Sequence, residues 1–242
     1  MSDRPPGHIV KSFEHELNQL RDLITQIGGI VENQVALAAQ AVVSKDTAAA
    51  TRAVEDDPRV DALEREVEAF VIRLLALRQP VAVDLRHVIA ALKITGDLER
   101  IGDYAANVAK RSIVLSEMTL SFGFGALAHM ARLVQENLKS VIDAFGENDP
   151  ARAEEVWRSD GAIDDMYNVI FRELITYMME DPRNIGGCTH LLFIAKNLER
   201  IGDHATNIAE TIHYAVTGQS LPDKRPKGAS TAYAVVRPRD AD

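Results

Sequence analysis

The chain has one cysteine, Cys188, in 242 residues. No internal disulfide can form, and a cysteine-based zinc site is excluded; Cys188 reads as a small core residue. Aromatics are scarce at 5%, and the apolar remainder is mostly Ala, Val, Leu and Ile, a mixture suited to helices packed on helices. Positive charge is in deficit: 27 Lys and Arg face 36 Asp and Glu, for a net charge of -9. So acidic a chain has no general attraction for nucleic acid, whose binding depends on neutralising phosphates. An anionic lipid surface would repel it, so membrane contact is expected only indirectly, through a protein partner. No run approaches the ~20 apolar residues of a spanning helix, and Met1 to Gly7 lacks the apolar segment of a signal peptide. The expected location is cytoplasmic. Strand signals, a Gly-rich phosphate loop, a nucleophile elbow and a His-Glu-x-x-His motif are likewise absent.

What the sequence does contain is long helical periodicity. Leu17, Leu20, Ile24, Ile27, Val31 and Val35 recur at helical spacing in a segment from about Ile9 to Val43. A second segment runs from Lys45 to Leu77, with Asp57-Pro58 expected to kink or restart it. Arg78-Gln79-Pro80 breaks the pattern. A third helix is predicted from Ala82 to Leu115, with Leu85, Ile89, Leu92, Leu98, Ala105 and Val108 as its inner face. Phe122-Gly123-Phe124-Gly125 reads as a linker, and the scheme then repeats. One helix runs from Ala126 to Phe145; Asn148-Asp149-Pro150 opens a second that reaches Met179, and a last one spans Asn184 to Val216. The predicted fold is all-α: two tandem, pseudo-repeated three-helix bundles over residues 8–118 and 122–218. Residues 219–242, rich in proline and basic residues, are expected to form a flexible tail.

The repeat is most explicit where Leu98-Glu99-Arg100-Ile101-Gly102-Asp103 returns as Leu198-Glu199-Arg200-Ile201-Gly202-Asp203. Each unit carries two carboxylate pairs at i, i+4 spacing, which places both members on one helix face. They are Asp57 with Asp61 and Glu99 with Asp103 in the first unit, and Asp160 with Asp164 and Glu199 with Asp203 in the second. Asp61 lies 19 residues before Pro80 and Glu99 lies 19 after it. Helices folded back at that proline bring both pairs to one level, and the second unit has nearly the same register about Pro182. Four like charges at one level call for neutralisation by protons or by a multivalent cation. Oxygen-only donors suit magnesium, calcium, manganese or iron, and they can also hold zinc.

Other residues take blander readings. His204 is matched by Tyr104 in the first unit, so it is read as structural, not as a ligand common to both sites. Arg100 and Arg200 are expected to pair with neighbouring carboxylates. Gly102 and Gly202, each costing ~1 kcal/mol within a helix, imply close approach of another helix or of a bound ion.

With Glu-Arg-Ile-Gly-Asp present twice, the sequence resembles the PhoU family. Leu77-Arg78-Gln79-Pro80, Asp84-Leu85-Arg86, Asp143-Ala144-Phe145 and Thr176-Tyr177-Met178-Met179-Glu180-Asp181 support the likeness, which extends from about Gly7 to Gly218. The resemblance implies two three-helix bundles whose acidic motifs hold multinuclear iron or zinc. On this chain those motif positions are Asp57, Asp61, Glu99, Asp103, Asp160, Asp164, Glu199 and Asp203; Pro58 falls inside the first motif and would distort its turn. The resemblance further implies a homodimeric, non-enzymatic negative regulator of the phosphate-starvation response. Such proteins couple the ATPase subunit of a phosphate ABC importer to a sensor histidine kinase, favouring the kinase's phosphatase state when phosphate is ample. Two readings compete with it. A ferritin-like carboxylate di-metal oxidase would need Glu-x-x-His on two helices, and none follows either motif. A metal-free helical scaffold would leave the acidic stripes simply solvated.

Overall fold

The computed structural model describes residues 6–119, 123 and 125–222, with side chains from Phe13 onward. Residues 223–242 of the expected tail, and Phe122 and Phe124 of the linker, lie outside the described residues. Among the described residues, seven α-helices follow in order: α1 Pro6–Ser44, α2 Thr47–Glu55, α3 Asp57–Arg78, α4 Ala82–Ser116, α5 Gly125–Glu147, α6 Pro150–Glu180 and α7 Ile185–Thr217. A 3-10 turn, Pro182–Asn184, separates the last two. Because α2 and α3 are one helix broken at Asp56, this is the six-helix, two-repeat arrangement.

The helix boundaries have identifiable causes. Lys45 and Asn148 each take a left-handed conformation, and each is followed by a capping aspartate. Asp46 accepts from the Ala49 amide at 2.9 Å, and Asp149 accepts from the amides of Ala151 and Arg152 at 2.9 and 3.1 Å. These turns lie 103 positions apart, so the repeat extends to the capping chemistry. Pro58, which has no N–H to donate back to the preceding turn, accounts for the restart of the chain as α3. In α6 the corresponding stretch is unbroken. Gly218 closes α7 in a left-handed conformation, where glycine carries no Cβ penalty.

Contacts along α4 and α7 run in opposite order. Arg86 Nε reaches the Ala215 carbonyl at 3.4 Å, Asp97 meets His204, and the Arg111 guanidinium lies 4.1 Å from the Phe193 ring centre. The two helices are therefore antiparallel, and they form the seam between the units. Packing of α1 on α5 adds a second junction, where Ile142 approaches the bare Cα of Gly28. One continuous core of Ala, Val, Leu and Ile links all seven helices, with Cys188 fully buried in it.

One expectation about α4 needs correcting. Leu98, Ala105 and Val108 are buried, but Leu85, Ile89 and Leu92 are exposed. The inward residues at that end are Val88, Ala91 and Ile94. Both sets have helical spacing, and only the position of the neighbouring helices decides which one is covered. Leu85 and Ile89 instead face a groove shared with Tyr214 of α7.

Candidate metal centres

All eight acidic residues singled out by the repeat lie on helices that pack together. Asp57 stands in the first turn of α3, where it feels the Asp103 carboxylate of α4, and Asp61, one turn further on, acts on Glu99 of α4. Burial and the nearby Asp103 carboxylate push the Glu99 carboxyl up to about 6, with Glu64 and Asp61 adding to the effect and Arg100 opposing it. Asp57 is raised by burial, then by Asp103 and Asp61, against the Gln34 amide and Lys110. In the second unit, burial raises Glu199, with Asp203 and Asp164 adding to it, while Lys196 opposes it by hydrogen bond and charge. The shared level expected from the hairpin counts is thus present.

The four acids do not close into a ligand shell. Among the described residues, no three His, Cys, Asp or Glu side chains stand together as a group able to hold an ion. Counter-charges hold some of them in place. Arg100 lies 3.4 Å from both Glu99 and Asp103, and Lys196 Nζ donates to Glu199 Oε1 at 2.7 Å. Asp160, only 3% exposed, accepts from Thr206 Oγ1 at 3.0 Å. Arg200 does not copy Arg100: its guanidinium lies 5.5 Å from the Tyr104 ring centre.

Two further residues belong to the first cluster. Glu64 lies three residues beyond Asp61 and is raised by burial, by Glu68 and by Asp61. Gln34 of α1, fully buried, donates from Nε2 to the Ala53 carbonyl at 2.9 Å and more weakly to Asp57 Oδ1 at 3.5 Å. Those bonds fix the amide orientation, and they leave Oε1 buried without a hydrogen-bond partner. The orphaned oxygen points over Gly102, where an added Cβ would stand 3.1 Å from it and 3.9 Å from Asp57 Oδ1. Carboxylates joined by an amide oxygen make a donor set suited to a hard cation. The search for paired carboxylates missed both residues. Glu64 is unmatched in the second unit, where the corresponding residue is Tyr167, and Gln34 carries no charge.

The repeated glycine serves helix packing in both units, against different neighbours. At Gly202 an added Cβ would stand 2.8 Å from Ile163 Cδ1 of α6. At Gly102 the close neighbour is Gln34, with Val60 of α3 behind it at 3.7 Å.

A seam of two antiparallel motif-bearing helices, each backed by its own bundle, defines a tandem-repeat, all-helical protein with an acidic cluster in each half. The chain belongs to the PhoU family: the PhoU domain matches residues 24–112 and 127–212. It is 52% identical over 221 residues to the phosphate-specific transport system accessory protein PhoU homolog of Caulobacter vibrioides, covering 91% of this chain and 96% of that protein. The Rhizobium meliloti homolog is 45% identical, with 93% and 96% covered. The crystal structure of PhoU from Pseudomonas aeruginosa matches with a TM-score of 0.84 at 40% identity, covering 86% of this chain and all of that one. The phosphate transport system regulatory protein PhoU from Streptococcus pneumoniae matches with a TM-score of 0.80 at 31% identity, over 87% and 99% of the two chains. The family is one of accessory and regulatory proteins, not enzymes. No described helix is long and apolar enough to cross a membrane.

Proposed function

We propose that this chain is a negative regulator of the phosphate-starvation response and of phosphate uptake. It acts as a cytoplasmic, homodimeric adaptor between the ATPase subunit of a phosphate ABC importer and the sensor histidine kinase of the phosphate two-component system. The observation that carries this reading is the near end-to-end match to phosphate transport accessory proteins. Long helices with broad exposed faces suit such work, and contact with the membrane comes through the partners. The acidic clusters bind divalent or trivalent metal ions, iron or zinc by family likeness, with manganese, magnesium or calcium also matched by oxygen donors. Asp57, Asp61, Glu99 and Asp103 would hold the ion in one unit, and Asp160, Asp164, Glu199 and Asp203 in the other. The bound charge would neutralise carboxylates that otherwise repel one another and so shape the surface offered to partners.

A deletion strain grown in ample phosphate tests the regulatory reading. Phosphate-scavenging genes should be expressed there, and normal repression would overturn it. Pulldown of the importer ATPase and the kinase, using wild type and the Glu199→Ala plus Asp203→Ala variant, tests whether the clusters shape the docking surface. Unchanged capture by the variant would restrict that cluster to a structural role.

A further inference from the structure

We propose that the two acidic clusters are not equivalent: the one in the N-terminal unit takes a hard multivalent cation, with Gln34 and Glu64 added to its donors, whereas the one in the C-terminal unit is closed by this chain's own Lys196. This inference rests on the reading of the clusters as cation sites and divides that role unequally between the halves.

Equivalent positions in the two units differ in charge and in donors. In the second unit Lys196 donates to Glu199 Oε1 at 2.7 Å, and its ammonium lies 5.2 Å from the Tyr167 ring centre, so Tyr167 and Glu199 together seat it. Thr206 supplies a hydroxyl to Asp160 at 3.0 Å. In the first unit the positions of Lys196 and Thr206 are taken by Gly96 and Ala106, which supply neither a charge nor a donor. The position of Tyr167 is taken by Glu64, which adds negative charge. The first cluster therefore gains a carboxylate where the second has a cation seat.

Gln34 points the same way from outside the acidic motif. It is fully buried, and Oε1 has no hydrogen-bond partner, an unfavourable state for a buried acceptor. Oε1 lies over Gly102, sharing that space with Asp57 Oδ1. Its counterpart, Asn137, has its oxygen filled: Asn137 Oδ1 accepts from Ser159 Oγ at 3.0 Å. The competing cations in the first unit are Lys110, which acts on Asp57 through its charge, and Arg100, which is largely exposed and 3.4 Å from each of its two carboxylates. Such a loose surface pair is weak and is readily displaced by a multivalent ion.

The test is a manganese(II) titration of the full chain after chelator treatment, with free manganese read by electron paramagnetic resonance and the fold of each variant checked by circular dichroism. Wild type should show one tight class of manganese, removed by Glu99→Gln plus Asp103→Asn and kept by Glu199→Gln plus Asp203→Asn. Gln34→Ala and, as a milder change, Glu64→Gln should each weaken that class by about tenfold, the low end of what removing a supporting group costs a metal site. Lys196→Met should create a second tight class. Equal tight binding by both units, or a Lys196→Met variant indistinguishable from wild type, overturns the inference while leaving the cation reading intact. No binding by wild type or by Lys196→Met overturns both.

Discussion

His204 Nδ1 of α7 lies 2.7 Å from Asp97 Oδ1 of α4, a hydrogen bond that crosses the seam between the two repeats. A carboxylate oxygen only accepts, so Nδ1 is the protonated nitrogen, and Asn207 Nδ2 approaches the same oxygen at 3.4 Å. The equivalent positions in the other halves are Asn197 and Tyr104, so the pair occurs once per chain and breaks the pseudo-symmetry. Both side chains are about four-fifths covered. Asp97→Ala should destabilise the chain by about 1–3 kcal/mol, the cost of leaving a covered polar partner unmatched. A double-mutant cycle with His204→Ala, followed by urea unfolding, should return a coupling on the order of 1 kcal/mol. Additive single effects would show that the seam holds without this bond.

Gly202 admits Ile163 so closely that a methyl group there would stand 2.8 Å from Ile163 Cδ1. Alanine raises helix propensity by about 1 kcal/mol, but overpacking a filled core costs about 1–3 kcal/mol, and Ile163 is buried. Gly202→Ala should therefore be net destabilising by about 1 kcal/mol. Adding Ile163→Val, which deletes Cδ1, should recover part of the loss in thermal melts. Failure of the double variant to recover any stability would mean that the close approach is not the reason for the glycine.

These two relationships show where sequence reading stops. Helix count, the proline breaks, the repeat and the level at which the acids meet all follow from local periodicity and from counting, because they depend on residues near in sequence. The reason for each repeated glycine does not, since identical motifs meet Gln34 from α1 in one unit and Ile163 from α6 in the other. The break before α3 was signalled by Asp57-Pro58. The rotation that buries Val88, Ala91 and Ile94 and exposes Leu85, Ile89 and Leu92 was not, because it is set by where α1 and α7 lie. Searching for what the repeats share found the eight carboxylates and passed over Lys196, Thr206, Glu64 and Gln34, which differ between the copies.

The raised Glu99 carboxyl gives stability a definite dependence on pH. Its value in the folded chain is about 6, above the ordinary glutamate value, so the folded state holds this proton more tightly than the unfolded state does. That advantage is full below the unfolded value and is lost as pH rises through about 6. Glu99→Gln, which cannot ionise, should therefore be more stable than wild type at pH 8, by up to about 1 kcal/mol after solvent screening. Near pH 4 the two should differ little. Urea unfolding of both proteins at the two pH values measures this, and a stabilisation larger at pH 4 than at pH 8 would contradict it.

Gln34 tests whether a buried amide can be structural on one side and unsatisfied on the other. Nε2 holds the Ala53 carbonyl at 2.9 Å, near the end of α2 and just before the break at Asp56, where helical bonding lapses. Oε1 has no hydrogen-bond partner. Gln34→Ala removes the useful donor and opens a cavity, and should cost about 2–4 kcal/mol. Gln34→Leu removes the same donor but fills the space and deletes the orphaned acceptor, so its cost should be smaller by about 1 kcal/mol or more. Adding manganese should stabilise wild type in thermal melts by mass action, and neither variant to the same extent. If both variants were equally destabilised, and both were shifted by manganese as far as wild type, Oε1 would be neither a burden on the metal-free fold nor a donor to the ion.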